Sequence, residues 1–362
     1  MRIRIAVLTL VLAVMLAGAL PVVAAMNTNA ALDYLKTQQN ADGGFGSGFS
    51  PGSAVNSTAD AVLAIVAAGG NPATFAKGVN TPVTYLAENA SSATTAGDLS
   101  KFVLALVAAG ENPRQFGGVD SVARLESLIG FDGKIGGAND TFVSQLVGVL
   151  ALKSVERPIP TAAVDLIKKA QQAGGGWAWD GTAGTAADTN TTAFAVQSLM
   201  AAGEAACSPA VTNALAYYKG IQNADGGWPY QNPSDYGTTT DANSTAAAIQ
   251  AMLAAGLDPS GADWTTTAGN SPVAALEALQ NKSGAFAWKA DTPDDNLLAT
   301  VQALPALAGK AFPLATMAVG EVTAPAPATM PTTGGELVDP AWVLTLSGLA
   351  VAFGGYALRR RR

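Results

Sequence analysis

The sequence predicts an all-α protein, a closed α6/α6 toroid of six helix-pair repeats. Three observations lead there: a helix–turn–helix unit between Leu215 and Gly256, its recurrence at a spacing of roughly 40 to 53 residues, and second helices rich in alanine. Small residues let neighbouring helices approach closely around a common axis, which favours a closed ring over an open stack.

The clearest unit shows what each part does. Leu215, Tyr218 and Ile221 fall at three-residue steps and share one face of a short outer helix. Asp225-Gly226-Gly227 ends it, because glycine accepts the left-handed backbone of a helix C-cap. Trp228 follows as a large apolar anchor whose indole N–H needs an acceptor, and the amide oxygen of Gln222 is the expected one. Asp241, Asn243, Ser244 and Thr245 then crowd before AAAIQAMLAAG, as side chains do at a helix N-terminus. That inner helix is apolar nearly all round and should be buried; Gly256 and Pro259 stop it.

In chain order, residues 1–25 read as a secretory signal peptide: a basic Met1-Arg-Ile-Arg start, an apolar stretch from Ile5 to Leu20, and small residues up to a cut after Ala25. An uncleaved anchor is the alternative. The toroid is expected over 26–313. Its first repeat pairs YLKTQQNADGGFG from Tyr34 with AVNSTADAVLAIVAAGGNP from Ala54, with Phe45 at the Trp position. The second has lost the Gly-Trp turn but keeps GDLSKFVLALVAAGENP from Gly97, and the third, Leu125 to Leu152, is also worn. Sharper copies return at Leu166 to Gly203, Leu215 to Gly256 and Ala275 to Leu304. Residues 314–329 read as a disordered Ala/Pro-rich linker. In 330–362, an apolar stretch from Ala341 to Leu358 is long enough for one transmembrane helix, and Arg359 to Arg362 would hold the C-terminus inside and the repeats outside.

Composition narrows the chemistry. A net charge of −7 with 13% charged residues offers no basic face to nucleic acid. The single Cys207 forbids an internal disulfide. There is no histidine, so His-dependent triads, an imidazole base and imidazole-ligated metals are excluded. No cofactor is expected, although an oxygen-only site for a divalent cation, held by Asp188, Asp241 and Asp294, stays open.

The Q-x3-G-[GA]-[WF] pattern in the repeats that start at Tyr34, Leu166 and Tyr217, with a looser copy at Ala275, resembles the QW motif of the terpenoid cyclase and protein prenyltransferase superfamily. The likeness covers about four-fifths of the chain and implies the α6/α6 toroid. It implies a structural role for Gln39, Gln171, Gln222, Trp177 and Trp228. Squalene cyclase-like relatives carry Asp-x-Asp-Asp-Thr-Ala at the start of an inner helix, where the central Asp protonates an alkene. Asp188-Thr-Asn190-Thr-Thr-Ala193 and Asp241-Ala-Asn243-Ser-Thr-Ala246 keep the first Asp and the Thr-Ala, but an amide stands in the acid position and cannot donate the proton. In repeat six Asp295 occupies that position and is the acid of the catalytic alternative. Those cyclases use two toroids where one is present here, and the prenyltransferase zinc set needs a histidine. The secreted cobalamin carriers resemble this ring too, and show that a toroid can bind without catalysing. Met330-Pro-Thr-Thr-Gly334 resembles the LPxTG sortase signal, implying covalent cell-wall attachment between Thr333 and Gly334; simple membrane anchoring is the alternative.

Parallel inner helices would bring their N-termini to one mouth, with Asn56, Asp98, Asp140, Asp188, Asn190, Asp241, Asn243, Asp294 and Asp295 around it. Each residue doubles as a candidate N-cap. Asp188 and Asp241 precede the expected caps by two residues and are the stronger ligand candidates. Trp179, Tyr230, Tyr236 and Trp288 lie just past the turns and are expected to line the mouth, while Trp264 is expected to pack between repeats. The functional expectation is an extracellular, surface-anchored binding or interaction ring for an unknown small molecule or surface protein. A single-toroid terpenoid cyclase or prenyl transferase is the first alternative, and a cobalamin-carrier-like binder the second.

Overall fold

Each repeat pairs an outer helix with an inner one, joined by a glycine turn except in repeat two, and a computed structural model describes this over residues 23–320 apart from Tyr236. Residues 1–22 of the expected leader, the linker beyond Gly320, Thr333 and Gly334 of the sortase-like signal, and the expected membrane span all lie outside the described residues. Among the described residues, no helix is long and apolar enough to cross a membrane.

The outer helices are α1 (Val23–Gln38), α3 (Pro82–Glu88), α5 (Ser121–Ser127), α7 (Thr161–Lys169), α9 (Pro209–Ile221) and α11 (Pro272–Glu277). The inner ones are α2 (Val55–Ala67), α4 (Ala96–Ala109), α6 (Phe142–Ser154), α8 (Thr189–Ala201), α10 (Ala242–Ala254) and α12 (Leu297–Leu307). Each inner helix packs on the next in chain order, and α12 packs on α2. The inner helices are buried on most sides, as their small apolar residues dictate.

Glycine sets the turns. Gly226 has φ +94°, and a Cβ there would meet the Ser271 carbonyl oxygen at 2.7 Å; Gly175 has φ +91° and faces the Asn213 oxygen at 2.2 Å. The turn therefore also seats the next repeat's outer helix.

The QW residues hold repeats together by a route that differs from expectation. The Trp228 indole donates to the Tyr218 carbonyl at 2.9 Å, and Trp177 donates to that of Ile167 at 2.7 Å. The glutamine amide is instead a donor. Gln222 Nε2 reaches Gly226 O and, in the next repeat, Trp264 O, both at 2.9 Å. Gln39 and Gln171 do the same with Phe75 O at 3.0 Å and Ala210 O at 2.7 Å. Trp264 packs edge-on against Trp228, with centroids 6.1 Å apart.

The second tie lies at the fourth residue of the inner helices. Thr58, Thr192, Thr245 and Thr300 each accept, through Oγ1, the backbone N–H of the turn's aromatic residue: Phe45, Trp177, Trp228 and Phe286. In repeat three Gln145 Oε1 does this for Ile135 at 2.6 Å.

The all-α expectation is corrected. The protein is not wholly helical: β1 (Phe286–Lys289) and β2 (Thr292–Asn296) form an antiparallel pair in repeat six. The segment read as the approach to an inner helix is thus strand β2, and α12 starts only after Asn296, which caps it. The packed unit also continues past Pro313 to Gly320. Beyond α12 the chain runs on to α8 and α6, where Phe312 N donates to Gln197 Oε1 and Met317 N to Ser154 O.

Candidate functional site

The N-terminal turns of the inner helices converge on a cavity of ≈ 320 Å³. Asn56, Asp98, Asp140, Asn190 and Asn243 all border it, so five of the residues expected at the mouth do gather. Deeper in, its wall is apolar, with Leu63, Val147, Phe194, Ala247 and Val301, and Phe312 of the terminal segment joins them.

Asp188 and Asp241 have a different duty from the one expected. Each is itself the N-cap, of α8 and α10. Asp188 Oδ1 accepts from Thr191 N, and Asp241 Oδ1 from Ser244 N, both at 2.7 Å. Their extended backbone is fixed from the other side, since Asp188 N donates to Trp177 O and Asp241 N to Trp228 O. Both are buried. Burial pushes the Asp188 carboxyl up to about 6 against the hydrogen bonds from Thr191, and it raises Asp241 against those from Ser244. Asp188 Oδ2 makes no hydrogen bond of ordinary geometry, although the Tyr230 hydroxyl lies near enough to bias its titration. Burial, then the Asp188 charge, pushes the Tyr230 phenol up to about 12.

Asn190 and Asn243 stand inside the first turn and face the cavity. Asn243 Nδ2 donates to Gln302 Oε1 of α12 at 2.6 Å; Asn190 Oδ1 is buried without a partner. Asn56 Nδ2 donates to Asp98 Oδ1 across the α2–α4 boundary. Asp140 Oδ1 accepts from Gly97 N at 3.1 Å and Oδ2 from Gly137 N at 2.9 Å. Burial raises the Asp140 carboxyl, but those backbone donors and the Ser144 hydroxyl outweigh it and hold the group below the usual range. Asp60, which sequence reasoning passed over, meets Lys101 at 2.8 Å on the same wall. Its spacing one turn beyond Asn56 was the available signal.

The other candidates disperse. Asp294 and Asp295 are exposed on β2, and Asp295 Oδ1 accepts from Asn281 Nδ2 at 2.8 Å and Ser283 Oγ at 2.7 Å. Asp295 is therefore not the buried acid that the catalytic alternative required. Nor do Asp188, Asp241 and Asp294 assemble: among the described residues, no group of three acidic or cysteine side chains could hold a metal ion. Trp179 lines a recess of ≈ 560 Å³ beside α7 that shares Asp140 and Thr141 with the central cavity, while Tyr230 and Trp288 border another recess with Phe49 and Asp241. That recess shares Asn190, Asn243 and Gln302 with the cavity.

Comparison with known proteins agrees with this architecture. The squalene-hopene cyclase C-terminal domain matches residues 139–319, half of the chain, and the prenyltransferase alpha-alpha toroid domain matches residues 3–141. No curated protein matches the sequence. Among solved structures, the type II terpene cyclase MstE from Scytonema, in its apo form, is 15% identical with a TM-score of 0.55, over 79% of this chain and 97% of that one. A variant of the same cyclase, solved with the substrate geranylgeranyl dihydroxybenzoate, gives the same values. A protein from Actinoplanes is 16% identical with a TM-score of 0.54, over 79% of this chain and 99% of that one. The helix pairs, the QW ties and the half-chain match together show that the chain belongs to the squalene-hopene cyclase C-terminal domain family, within the terpenoid cyclase superfamily.

Proposed function

We propose that this chain is a closed, six-repeat, single-ring terpenoid cyclase that takes an isoprenoid-type molecule into its central cavity, with Asp98 as the acid. Closure is supported by the packing of α12 on α2. The observation that carries the reading is the division of the cavity's carboxyl groups. Asp60 is committed to Lys101, and Asp140 is kept anionic by backbone N–H groups. Asp98 has one oxygen on the Asn56 amide and the other left for chemistry, above an apolar wall suited to a hydrocarbon chain. Asp98, once it has taken a proton from solvent, adds that proton to one alkene carbon and returns to the carboxylate. The resulting cation is attacked by a second alkene to close a ring, and a proton leaves the neighbouring carbon, so substrate and product are isomers.

A second ring is not needed on this reading. MstE is matched over 97% of its length by the repeats of this chain, so one set of repeats is enough for the fold of a cyclase. The apo and substrate-bound MstE structures support an isoprenoid ligand by likeness of fold alone.

The second reading, a binding or interaction ring without catalysis, is favoured by one specific observation: Asn190 and Asn243 fill the acid position of both well-preserved motif copies. Placement on the cell surface belongs to either reading and rests on the leader-like and anchor-like ends of the sequence. Product analysis after incubation with farnesol and geraniol separates the two. Cyclised isomers from wild type, lost by at least a hundredfold in Asp98→Asn while binding persists, are expected. Binding without any cyclised product from wild type would leave the non-catalytic ring.

A further inference from the structure

The polar atoms of the central cavity are unevenly satisfied, and the imbalance has one sign at the mouth. Asn56 presents Nδ2 to Asp98, because a carboxylate oxygen only accepts. Its Oδ1 is thereby fixed as a buried acceptor, and it has no donor. Asn190 Oδ1, across the same cavity, is likewise buried without one. Asp98 and Asp140 add further acceptors. The sole cation among the described residues on this wall is Lys101, and Asp60 already engages it. At depth the sign reverses: Gln250 is only 6% exposed, and its Nε2 is buried with no acceptor. Buried polar groups left unpaired are costly, so each marks where a partner belongs.

We infer that the cavity selects an amphiphile with an apolar body, a hydrogen-bond-donating alcohol or ammonium head at the mouth, and one oxygen acceptor at the inner end, and that it rejects diphosphates. The inference rests on the isoprenoid reading and narrows it. An alcohol or ammonium supplies protons to Asn56 Oδ1, Asn190 Oδ1 and the free Asp98 oxygen. A diphosphate brings more acceptors and negative charge to carboxylates that have no free cation beside them. The volume, at the lower end of the ≈ 300–1,000 Å³ of small-molecule sites, limits the body to a short isoprenoid chain.

The test is calorimetric titration of the full chain with farnesol, farnesylamine, farnesyl diphosphate and 12-hydroxyfarnesol. Farnesol and farnesylamine should bind at least tenfold more tightly than the diphosphate. Asn190→Leu should weaken both by about tenfold. Asp98→Asn should narrow the gap to the diphosphate. The added inner hydroxyl of 12-hydroxyfarnesol should tighten binding, and that gain should vanish in Gln250→Leu. Equal or tighter binding of the diphosphate overturns the head-group inference and leaves the isoprenoid reading standing. Failure of all four probes to bind a protein that still unfolds cooperatively overturns both. A hydroxyl gain that survives Gln250→Leu refutes the inner contact.

Discussion

Replacing Asp188 by asparagine isolates the cost of a buried cap carboxylate. The side chain is fully buried, Oδ1 holds the N-terminus of α8, and Oδ2 has no hydrogen bond. Its carboxyl is raised from 3.8 to about 6, chiefly by burial. About two units at 1.36 kcal/mol each amount to about 3 kcal/mol. The sign follows from where the protons sit. Between 3.8 and about 6 the folded protein keeps a proton that the unfolded chain has lost, so stability falls as pH rises through that window. Asparagine caps a helix as well as aspartate does and does not titrate. Tyr230 lies close enough to accept from the new amide. Asp188→Asn should therefore match wild type near pH 4 and exceed it near pH 7 by up to about 3 kcal/mol, or about 5 °C in melting temperature for a domain near this size. Asp241, raised in the same direction, contributes equally to both proteins and cancels. Circular-dichroism melts of the pair from pH 4 to pH 7 read the difference directly. Parallel pH profiles, or a variant less stable than wild type at pH 7, would refute the reasoning.

Two further substitutions probe what the turn holds, the inner helix in one case and the next outer helix in the other. Thr245→Val keeps the shape but removes the acceptor of the buried Trp228 N–H, which lies 3.0 Å from Oγ1, and should cost about 1–3 kcal/mol in urea denaturation. Gly226→Ala forces a side chain onto φ +94° and sets its Cβ 2.7 Å from Ser271 O. It should lose more than about 1 kcal/mol from the backbone alone, with the clash added, and should lower the melting temperature further than Gly237→Ala, where φ is +92° but the space is open.

Much of the fold is legible in the sequence because each repeat states its own punctuation. Gly175 and Gly226 mark turns that require positive φ, and the alanine-rich runs mark helices that need neighbours on every side. What was not legible depends on partners far along the chain. A cluster such as Asp241, Asn243, Ser244 and Thr245 holds several good caps, and local propensity does not choose among them. The choice is made by Trp228 O, which takes the Asp241 N–H and holds that residue extended. In the same way, the segment from Thr292 to Asn296 becomes a strand because Phe286–Lys289 offers it an edge. The glutamine amide was misassigned because Tyr218 O reaches the indole first, which frees Gln222 to bridge to Trp264. At the candidate site, Asn190 and Asn243 were found by motif. Asp60, Gln250 and Phe312 were not, since helical phase and the path of the segment after α12 place them there.

The hexapeptide at the start of α8 and α10 divides its labour by position. Its first residue, Asp188 or Asp241, caps the helix, and its fifth, Thr192 or Thr245, ties that helix to the turn. Both contacts face the protein, so both residue types are demanded by folding. The third residue, Asn190 or Asn243, faces the cavity. An amide there leaves both fold-making contacts intact, so the fold does not depend on an acid at this position. Asp98, Lys101 and Asp140 come instead from repeats two and three, where the Gly-Trp turn is worn. There Asp98 and Asp140 bond across to neighbouring repeats. The cavity's charged side chains thus come from preserved and worn repeats alike, Asp60 from the first and Asp98, Lys101 and Asp140 from the second and third, while the threonine ties between turn and inner helix belong to the preserved ones.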